Sequence, residues 1–303
     1  MNKATAFAPG SIGNVGPGFD VLGLAFDGAG DTVTVELTRG ESRVDAVTGR
    51  DAELVPLDAA RNCAAIAANS FLRPFGYRAI VSVEKGLPLA GGMGGSAASS
   101  VAGAYAAGLA LGQSPAVSDI LAAALEGEAC VAGRHLDNIA PSVVGGLALS
   151  RCTDPIDVVK IPLAADWWVA LVTPRVRIQT KDARALLPHE CDRALWVQQM
   201  ANTTALALAF SAGDGDLLRR ALDDRYAEPL RAPLIPHFHD VKRAALESGA
   251  FGCSISGSGP TLFAIAVDES SAKRCADAMR SAFAEVESSA HIGPIAKQGV
   301  RRA

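Results

Sequence analysis

Several features that mark other classes of protein are absent from this chain of 303 residues. None of its six cysteines stands in a C-x-x-C pair, and the first ten residues lack the apolar core of a secretory signal peptide. The 28 lysines and arginines are scattered, and the net charge is −4, which argues against nucleic acid as a partner. These absences predict a cytoplasmic protein with reduced thiols.

A membrane segment is also missing, although one long stretch carries no charge. Residues 86–118 contain no acidic or basic side chain, but glycines and serines interrupt the apolar part. A membrane-spanning helix needs about 20 mostly apolar residues, and alanine and glycine contribute little transfer free energy. The stretch therefore predicts a buried helix that follows a glycine-rich turn.

Hydrophobic periodicity predicts an α+β fold in which strands and helices mix. Segment 4–26 is interpreted as an ordered loop after a short strand, because five glycines lie among its apolar residues. Strands are predicted at 31–39, 78–86, 167–174 and 262–267. Helices are predicted at 61–76, 96–111, 116–133, 181–187, 192–212, 214–224, 239–248 and 270–286, with loops at 134–150 and 229–236. Prolines and charges at 150–165 indicate a domain boundary.

The glycine-rich turn is the first candidate site. It lies between a predicted strand and a predicted helix, so that its backbone N–H groups can converge on one anion. The helix dipole adds about half a positive charge there. The hydroxyl of Ser96, near the first helical turn, can cap the helix or ligate a metal. The alternative is that the glycines only allow close packing of the helix on the sheet.

Two common phosphate motifs do not account for this turn. No lysine follows its glycines, which excludes the P-loop pattern. Gly92, Gly94 and Ala97 match the dinucleotide pattern G-x-G-x-x-A on paper. However, Pro88 separates them from the strand, and the acidic residue about twenty positions on, Asp119, would begin a helix.

Other polar residues are ambiguous when taken singly. Glu126 and Glu128 lie on a predicted helix, where one could ligate Mg²⁺ or both could face solvent. Arg184 and Arg231 could clamp a carboxylate or lie on the surface. The histidines of segment 237–239 lack further ligands for a metal site. A second glycine cluster at 254–261, taken alone, indicates a tight turn before a strand.

Three ordered motifs nevertheless resemble the GHMP small-molecule kinases, and their homoserine-kinase form most closely. They are APGSIGNVGPGFDVLGLA (8–25), LPLAGGMGGSAAS (87–99) and SISGSGPT (254–261). Segments HLDNIAPSVVGG (135–146), TKDARALLP (180–188) and EPLRAPLIP (228–236) extend the resemblance over nearly the whole chain. The family pattern differs at three positions, where this chain has Met93, Gly95 and Ser258 in place of leucine, serine and alanine. The missing serine hydroxyl at Gly95 puts rate or ATP affinity slightly in doubt.

The resemblance implies a two-domain GHMP kinase fold. Residues 1–155 would form an N-terminal, ribosomal-protein-S5-like domain with a left-handed βαβ unit. Residues 156–303 would form a ferredoxin-like C-terminal domain, with ATP bound between the two. The family often dimerises, so the resemblance makes a homodimer one option, while the sequence leaves the oligomeric state open.

The resemblance further implies where ATP and Mg²⁺ bind. Asn62 would contact adenine, and Ser96 with Glu128 would hold Mg²⁺. The triphosphate would lie against Pro88, Leu89, Ala90, Gly91, Gly92, Met93, Gly94, Gly95, Ser96, Ala97 and Ala98.

The acceptor implied by the resemblance is L-homoserine, phosphorylated to O-phospho-L-homoserine on the way to threonine. Asp20 would bind its ammonium group, and Arg184 and Arg231 its carboxylate. Asn14 and Asn138 would lie near its hydroxyl, and the pocket would be completed by His135, Asp137 and Thr180. Asn14, Asn138 and Thr180 are the catalytic candidates.

The implied mechanism is direct in-line attack without a catalytic base, since phosphoryl transfer depends mainly on positioning and charge neutralisation. Two alternatives stay open at this point. The chain could phosphorylate another small hydroxy amino acid or alcohol, or it could bind a nucleotide without kinase activity.

Overall fold

The computed structural model describes residues 2–131 and 133–303, which form eleven strands and ten α-helices. The strands are β1 (Lys3–Gly13), β2 (Leu22–Thr38), β3 (Arg43–Gly49), β4 (Arg78–Lys85), β5 (Leu147–Thr153), β6 (Ile156–Ile161), β7 (Trp168–Pro174), β8 (Gly252–Ile255), β9 (Leu262–Ala266), β10 (Ser288–Pro294) and β11 (Arg301–Arg302). The helices are α1 (Cys63–Leu72), α2 (Gly95–Ala110), α3 (Val117–Ala129), α4 (Ile139–Val144), α5 (Thr180–Ala185), α6 (Arg193–Ala212), α7 (Gly215–Ala221), α8 (Glu228–Arg231), α9 (Phe238–Glu247) and α10 (Glu269–Ala282).

The strands form two sheets. In the first, five strands have the order β11-β1-β2-β4-β3. Strand β5 also pairs with β2, and β6 pairs with β5. The second sheet has the order β10-β7-β9-β8. This mixture confirms the α+β prediction. The domain boundary at residues 155 and 156 stays a prediction. The first sheet includes β6, which ends at Ile161, and also β11 (Arg301–Arg302), which pairs with β1.

Helix α2 lies in the core as its small residues predict. Thirteen of its sixteen residues are buried. A Cβ on Gly103 would lie 2.5 Å from the carbonyl oxygen of Ala64, so glycine is what allows α2 to approach α1 so closely. Within the described residues, no helix is both long and apolar enough to cross a membrane.

The interpretation of segment 4–26 as mostly loop was wrong. Strand β1 pairs antiparallel with β2 over most of this segment, with a bulge between Pro9 and Gly10. A Cβ on Gly10 would overlap the ring of Phe26, so this glycine makes room for an aromatic side chain on the neighbouring strand. The glycines within β1 and β2 therefore mark tight packing, and only residues 14–21, between the two strands, form a loop.

Other predictions missed short or edge elements. Segment 134–150 contains α4 and the beginning of β5, and segment 229–236 contains the end of α8 and a 3₁₀ turn, where loops were predicted. Helix α10 ends at Ala282, four residues before the predicted end at 286. Strands β3, β6, β10 and β11 were not predicted, because their residues show no sustained apolar alternation and gain their order from pairing with neighbouring strands.

Candidate active site

The glycine-rich turn leads directly into α2 and is held in an unusual backbone conformation. Ala90, Gly92 and Gly94 have φ values of 53°, 78° and 68°, in the left-handed region. Alternating left- and right-handed residues turn successive N–H groups toward one point, which is an anion-binding geometry. The N-terminus of the sixteen-residue helix α2 faces the same point. The turn therefore has the shape that phosphate binding requires.

The C-terminal glycine cluster supports this phosphate loop. Ser256 Oγ donates a hydrogen bond of 2.5 Å to the carbonyl oxygen of Gly92, and Thr261 Oγ1 donates to that of Gly91. On the opposite side, the backbone N–H of Ser11 donates to the carbonyl oxygen of Met93 at 3.1 Å. The three motifs identified in the sequence thus meet at one place. Segment 254–261 is more than a tight turn.

The two adjacent glycines at the start of α2 differ in what a side chain would meet. A Cβ on Gly94 would overlap Ser11 Oγ, on a backbone with φ of 68°. A Cβ on Gly95 would meet its nearest atom, the carbonyl oxygen of Pro88, at 3.3 Å, on helical backbone. Only Gly94 is required by its geometry.

Gly94→Ala is expected to weaken ATP binding by about 100-fold, because left-handed strain of roughly 1–2 kcal/mol adds to the displacement of Ser11. Gly95→Ser, which adds the serine usual in the family, is expected to stay within about tenfold of the unchanged protein, because the contact at 3.3 Å with the carbonyl oxygen of Pro88 needs only a small shift on helical backbone. Titration of each protein with ATP measures both effects. Equal losses in the two variants would contradict this account of the loop.

A buried charged cluster lies under the phosphate loop and was missed by sequence reasoning. The fully buried carboxylate of Asp31 accepts hydrogen bonds from the backbone N–H groups of Gly86 (3.0 Å) and Leu87 (3.2 Å), and it is paired with Lys85. Lys85 Nζ donates to the carbonyl oxygen of Gly95 at 3.1 Å and to Ser99 Oγ at 3.0 Å. The cluster therefore ties β2, the end of β4 and the first turn of α2 together. A lysine immediately before the turn was the only signal in the sequence.

Lys85→Met is expected to lower the free energy of unfolding by about 3–5 kcal/mol, because it leaves the carboxylate of Asp31 buried without its partner. Urea unfolding measures the change. The matched control is Lys3→Met, which removes an exposed pair with Glu36 at 3.6 Å and is expected to change nothing measurable. Loss of stability in the control but not in Lys85→Met would show that the cluster does not hold the loop.

Ser96 and Glu128 meet beside the phosphate loop, although they belong to different helices. Ser96 Oγ donates a hydrogen bond of 3.0 Å to Glu128 Oε1. Glu128 is buried, and its second oxygen, Oε2, has no hydrogen-bond partner among the residues that the structure describes. Burial raises the pKa of this carboxyl to about 7. Glu126, by contrast, is exposed and paired with Arg134 at 2.8 Å, so the structure separates two glutamates that helical position alone left equivalent.

This arrangement fits a magnesium ion that shares its coordination with phosphate. A buried carboxylate oxygen without a partner and a hydroxyl, both at the start of the phosphate-binding helix, are oxygen donors of the kind Mg²⁺ takes. No group of three His, Cys, Asp or Glu side chains able to hold a metal occurs in the described part of the chain. An ion here would therefore take its remaining ligands from phosphate and water.

A second cluster of charges brings together residues that were predicted to form an amino-acid pocket. Asp20 accepts two hydrogen bonds from Arg184, from Nη2 at 2.7 Å and from Nη1 at 3.0 Å. The guanidinium groups of Arg184 and Arg231 lie over the ring of Phe19, with distances of 5.2 and 5.4 Å to its centroid. Arg231 is only 3% exposed and donates to the carbonyl oxygen of Gly257 at 2.9 Å. Two arginines and one acid thus converge around one aromatic ring, which sequence reasoning did not single out.

His135 and Thr180 lie at the edge of this pocket. His135 Nδ1 is 3.5 Å from Asp20 Oδ2, and burial lowers the pKa of this imidazole. Thr180 begins α5, and its Oγ1 lies 3.3 Å from Ser258 Oγ in the C-terminal glycine cluster.

Asn138 lies between the phosphate loop and the amino-acid pocket. Its Oδ1 accepts a hydrogen bond of 3.0 Å from Ser11 Oγ, the same atom that a Cβ on Gly94 would overlap. Its Nδ2 donates to Asp137 Oδ2 at 3.2 Å. Burial, and next the charge of Asp20, raise the pKa of Asp137 to about 7. One amide therefore connects the two subsites.

The two remaining asparagines use their side chains to hold the backbone. Asn14 accepts from the N–H of Asp20 at 3.0 Å and donates to the carbonyl oxygen of Gly257 at 3.0 Å, which fixes the loop between β1 and β2. Asn62 is buried, caps α1 by accepting from the N–H of Ala65, and donates to the carbonyl oxygen of Pro56. The contact of Asn62 with adenine stays a prediction.

The buried carboxyls of Glu128 and Asp137, whose pKa values are raised to about 7, should make the ligand-free protein less stable as pH rises. Their pKa values are raised by folding, from 4.5 and 3.8 to about 7, so the folded state binds more protons than the unfolded state between these values. Their stabilising contribution is complete below pH about 4 and is lost as pH rises through 7. The free energy of unfolding is expected to be about 2–4 kcal/mol lower at pH 8 than at pH 5.5. Urea unfolding at both values tests this, and a Glu128→Gln/Asp137→Asn variant should show a flatter profile.

The chain is similar to known proteins over nearly its whole length. The family model for the GHMP kinases N terminal domain matches residues 59–146, and that for GHMP kinases C terminal matches residues 206–285. A homoserine kinase from Chloroherpeton thalassium is 38% identical over 99% of this chain and 99% of its own length. This chain belongs to the homoserine kinases of the GHMP family. A homoserine kinase from Arabidopsis thaliana is 40% identical over 92% of this chain and 78% of its own length.

Solved structures agree with this membership. The crystal structure of homoserine kinase from Cytophaga hutchinsonii superposes with a TM-score of 0.93 at 39% identity, covering 100% of this chain and 98% of that one. A mevalonate kinase from L. major shares the fold alone, with a TM-score of 0.72 at 14% identity over 97% of each chain. The predicted two-domain GHMP kinase fold is confirmed, and membership in this kinase family implies ATP as the phosphoryl donor.

Proposed function

We propose that this homoserine kinase transfers the γ-phosphate of ATP to the side-chain hydroxyl of L-homoserine, giving O-phospho-L-homoserine for threonine biosynthesis. The position of Asn138 is the observation that carries the proposal. This side chain touches the phosphate loop through Ser11 and the amino-acid pocket through Asp137. A hydroxyl held beside Asn138 would therefore lie between the two subsites, where transfer must occur.

The charges of the pocket match an amino acid. A zwitterion needs an acid for its ammonium group and a cation for its carboxylate, and the ion pair of Asp20 with Arg184 offers both. We expect the substrate to insert between them, with its ammonium group on Asp20 and its carboxylate on Arg184 and Arg231. His135 and Asp137 would line the same pocket. Arg184 and Asp20 are each about one-third exposed, which leaves them accessible to such an exchange.

The phosphate loop, which runs from Pro88 to Ala98, would stabilise the negative charge of the transferred phosphoryl group. Its N–H groups and the N-terminus of α2 would bind the phosphates. Ser96 and Glu128 would hold Mg²⁺, which neutralises phosphate charge when bound. This assignment needs Glu128 in its ionised form.

The acceptor hydroxyl needs orientation more than deprotonation, because the transition state of phosphoryl transfer is loose. Asn138 would orient this hydroxyl by accepting a hydrogen bond from it or donating one to it, and Thr180 would lie at the far side of the pocket. Asn14 contributes by fixing the loop that carries Asp20. The mechanism proposed is in-line attack without a catalytic base. Residence in the cytoplasm stays a proposal that rests on the sequence.

Release of ADP by the purified protein, with Mg²⁺ and ATP, tests the proposal against a panel of acceptors. Homoserine, threonine, serine, shikimate and homoserinol, which lacks the carboxylate, make a graded series. Homoserine is expected to be turned over at least about 100 times more efficiently than homoserinol, because the arginines would lose their partner. Preference for another hydroxy amino acid or alcohol would change the assigned acceptor. If ADP release did not depend on any acceptor, the proposed function would be refuted.

A further inference from the structure

Asp224 is a buried carboxylate that belongs neither to the predicted amino-acid pocket nor to the phosphate loop. It is 6% exposed and lies just before the short helix α8. Its Oδ1 accepts hydrogen bonds from the backbone N–H groups of Tyr226 at 2.9 Å and Ala227 at 3.0 Å, and its Oδ2 accepts one from that of Glu228 at 2.9 Å. The first N–H groups of a helix have no backbone partner within it. A single side chain therefore holds the start of α8.

Helix α8 ends at Arg231, the more buried of the two arginines that lie over Phe19. The N–H of Ala227 is bound by Asp224, and its carbonyl oxygen accepts a hydrogen bond from the N–H of Arg231 at 3.0 Å. Two consecutive hydrogen bonds thus connect the carboxylate to the backbone that carries this guanidinium. Because α8 has only four residues, its own hydrogen bonds do little to fix its orientation. The placement of Arg231 therefore depends on Asp224.

The charge of Asp224 acts on Arg231 as well. The guanidinium of Arg231 donates to the carbonyl oxygens of Gly257 at 2.9 Å and Ala183 at 3.4 Å, neither of which carries a net charge. Burial, and next the charge of Arg184, lower the pKa of Arg231, and Asp224 is the carboxylate that opposes this effect most. A buried cation needs such a charge nearby. Asp224 thus stabilises the charged guanidinium in addition to holding its helix.

Gln199 of α6 connects Asp224 to the segment that carries Asp20. Its Nε2 donates to Asp224 Oδ1 at 2.8 Å and to the carbonyl oxygen of Pro17 at 2.9 Å. Thr203 Oγ1, one turn further along α6, donates to the same carbonyl oxygen at 2.8 Å. The carboxylate is therefore anchored on α6, while the loop between β1 and β2 has a second bond to α6 that does not involve Gln199.

We propose that Asp224 is a positioning residue for recognition of the substrate carboxylate, acting through Arg231. It would hold the start of α8 so that the guanidinium at the end of this helix stays in the amino-acid pocket. This role rests on the proposed function, in which Arg231 binds that carboxylate. An acceptor without a carboxylate would not use Arg231 in this way, so its turnover should not depend on Asp224.

Asp224→Asn, assayed with homoserine and with homoserinol, separates positioning from general support of the fold. The amide removes the charge and places an NH₂ group where a backbone N–H needs an acceptor. We expect kcat/KM to fall about 30- to 100-fold for homoserine but less than about threefold for homoserinol, with KM for ATP also within about threefold. The matched control is Asp223→Asn, since Asp223 is adjacent and pairs with Arg225 at 2.7 Å on the surface, and it should leave all three values unchanged.

The two acceptors also separate failure of this proposal from failure of the proposed function. If the unchanged protein does not phosphorylate homoserine, the proposed function fails and this role with it. If the unchanged protein does so, and Asp224→Asn lowers kcat/KM for both acceptors by the same factor, only the positioning role is overturned.

A double-variant cycle with Arg231 tests whether Asp224 acts through this arginine. In a protein that already carries Arg231→Ala, the further change Asp224→Asn is expected to lower kcat/KM for homoserine by less than about threefold, because the group that Asp224 positions is gone. Losses that multiply in full would show that the two residues act independently, and would overturn the proposal.

Gln199→Ala covers the case in which Asp224→Asn does not fold, which circular dichroism shows. Alanine favours the helix, and Thr203 keeps its bond to the carbonyl oxygen of Pro17, so this variant mainly loosens the anchor of Asp224. It is expected to lower kcat/KM for homoserine about fivefold and that for homoserinol less than about twofold. An unchanged value for homoserine, or equal losses for the two acceptors, would overturn the proposal.

Discussion

Replacing Arg184 by alanine is expected to lower kcat/KM for homoserine by about 1,000-fold while KM for ATP changes less than about threefold. Arg184 makes two hydrogen bonds to Asp20, and the same fork would bind the substrate carboxylate. Its loss removes a charge-assisted, bidentate contact from a partly buried pocket. Steady-state kinetics with each substrate varied in turn separates the two effects.

Two further variants define what this result means. Arg184→Lys keeps the charge but not the planar fork, so it should recover only part of the loss. Arg225→Ala removes an exposed arginine that pairs with Asp223 at 2.7 Å, and it should leave both KM values unchanged. Full activity of Arg184→Ala would show that the amino-acid pocket lies elsewhere.

Replacing Glu128 by glutamine is expected to lower kcat by about 100- to 1,000-fold and to raise the Mg²⁺ concentration needed for half-maximal rate. Glutamine can still accept the hydrogen bond from Ser96, so that the substitution removes the charge and little else. The second oxygen of Glu128 is buried without a partner, which makes this charge costly unless a cation meets it.

Glu126→Gln is the control for this result. Glu126 lies two residues away on α3, is exposed, and pairs only with Arg134 in the structure. Its replacement is expected to leave kcat and the Mg²⁺ dependence unchanged. Similar kinetics for the two variants would remove Glu128 from the magnesium site.

Local motifs were predictable from the sequence because each one sits on a single turn. The phosphate loop and the beginning of α2 next to Ser96 follow from glycines placed between a strand and a helix. The same pattern predicted an anion site before any fold was known. Residue spacing alone did not show which of Glu126 and Glu128 faces that site, since both belong to one short helix and only tertiary packing separates them; the family resemblance selected Glu128.

Contacts between distant parts of the chain could not be predicted from residue patterns, and only the family resemblance placed Asp20 and Arg184 in one pocket. Asp31 and Ser99 are 68 positions apart, and Asp20 and Arg184 are 164 positions apart, yet each pair makes hydrogen bonds. Residue spacing carries no signal for such contacts, because the fold alone brings the partners together. The prediction for segment 4–26 failed for the opposite reason: glycines such as Gly10 and Gly23 allow close packing, against Phe26 and Asp137, where the local pattern indicated an ordered loop.

Phosphorus NMR of the reaction product tests the central claim most directly, that one cleft joins a phosphate loop to an amino-acid pocket. With ATP, Mg²⁺ and L-homoserine, the account predicts one new phosphomonoester signal, coupled to the protons of the side-chain CH₂ next to the oxygen, in equal amount to ADP. Inorganic phosphate alone, or an acyl phosphate on the carboxylate, would contradict it.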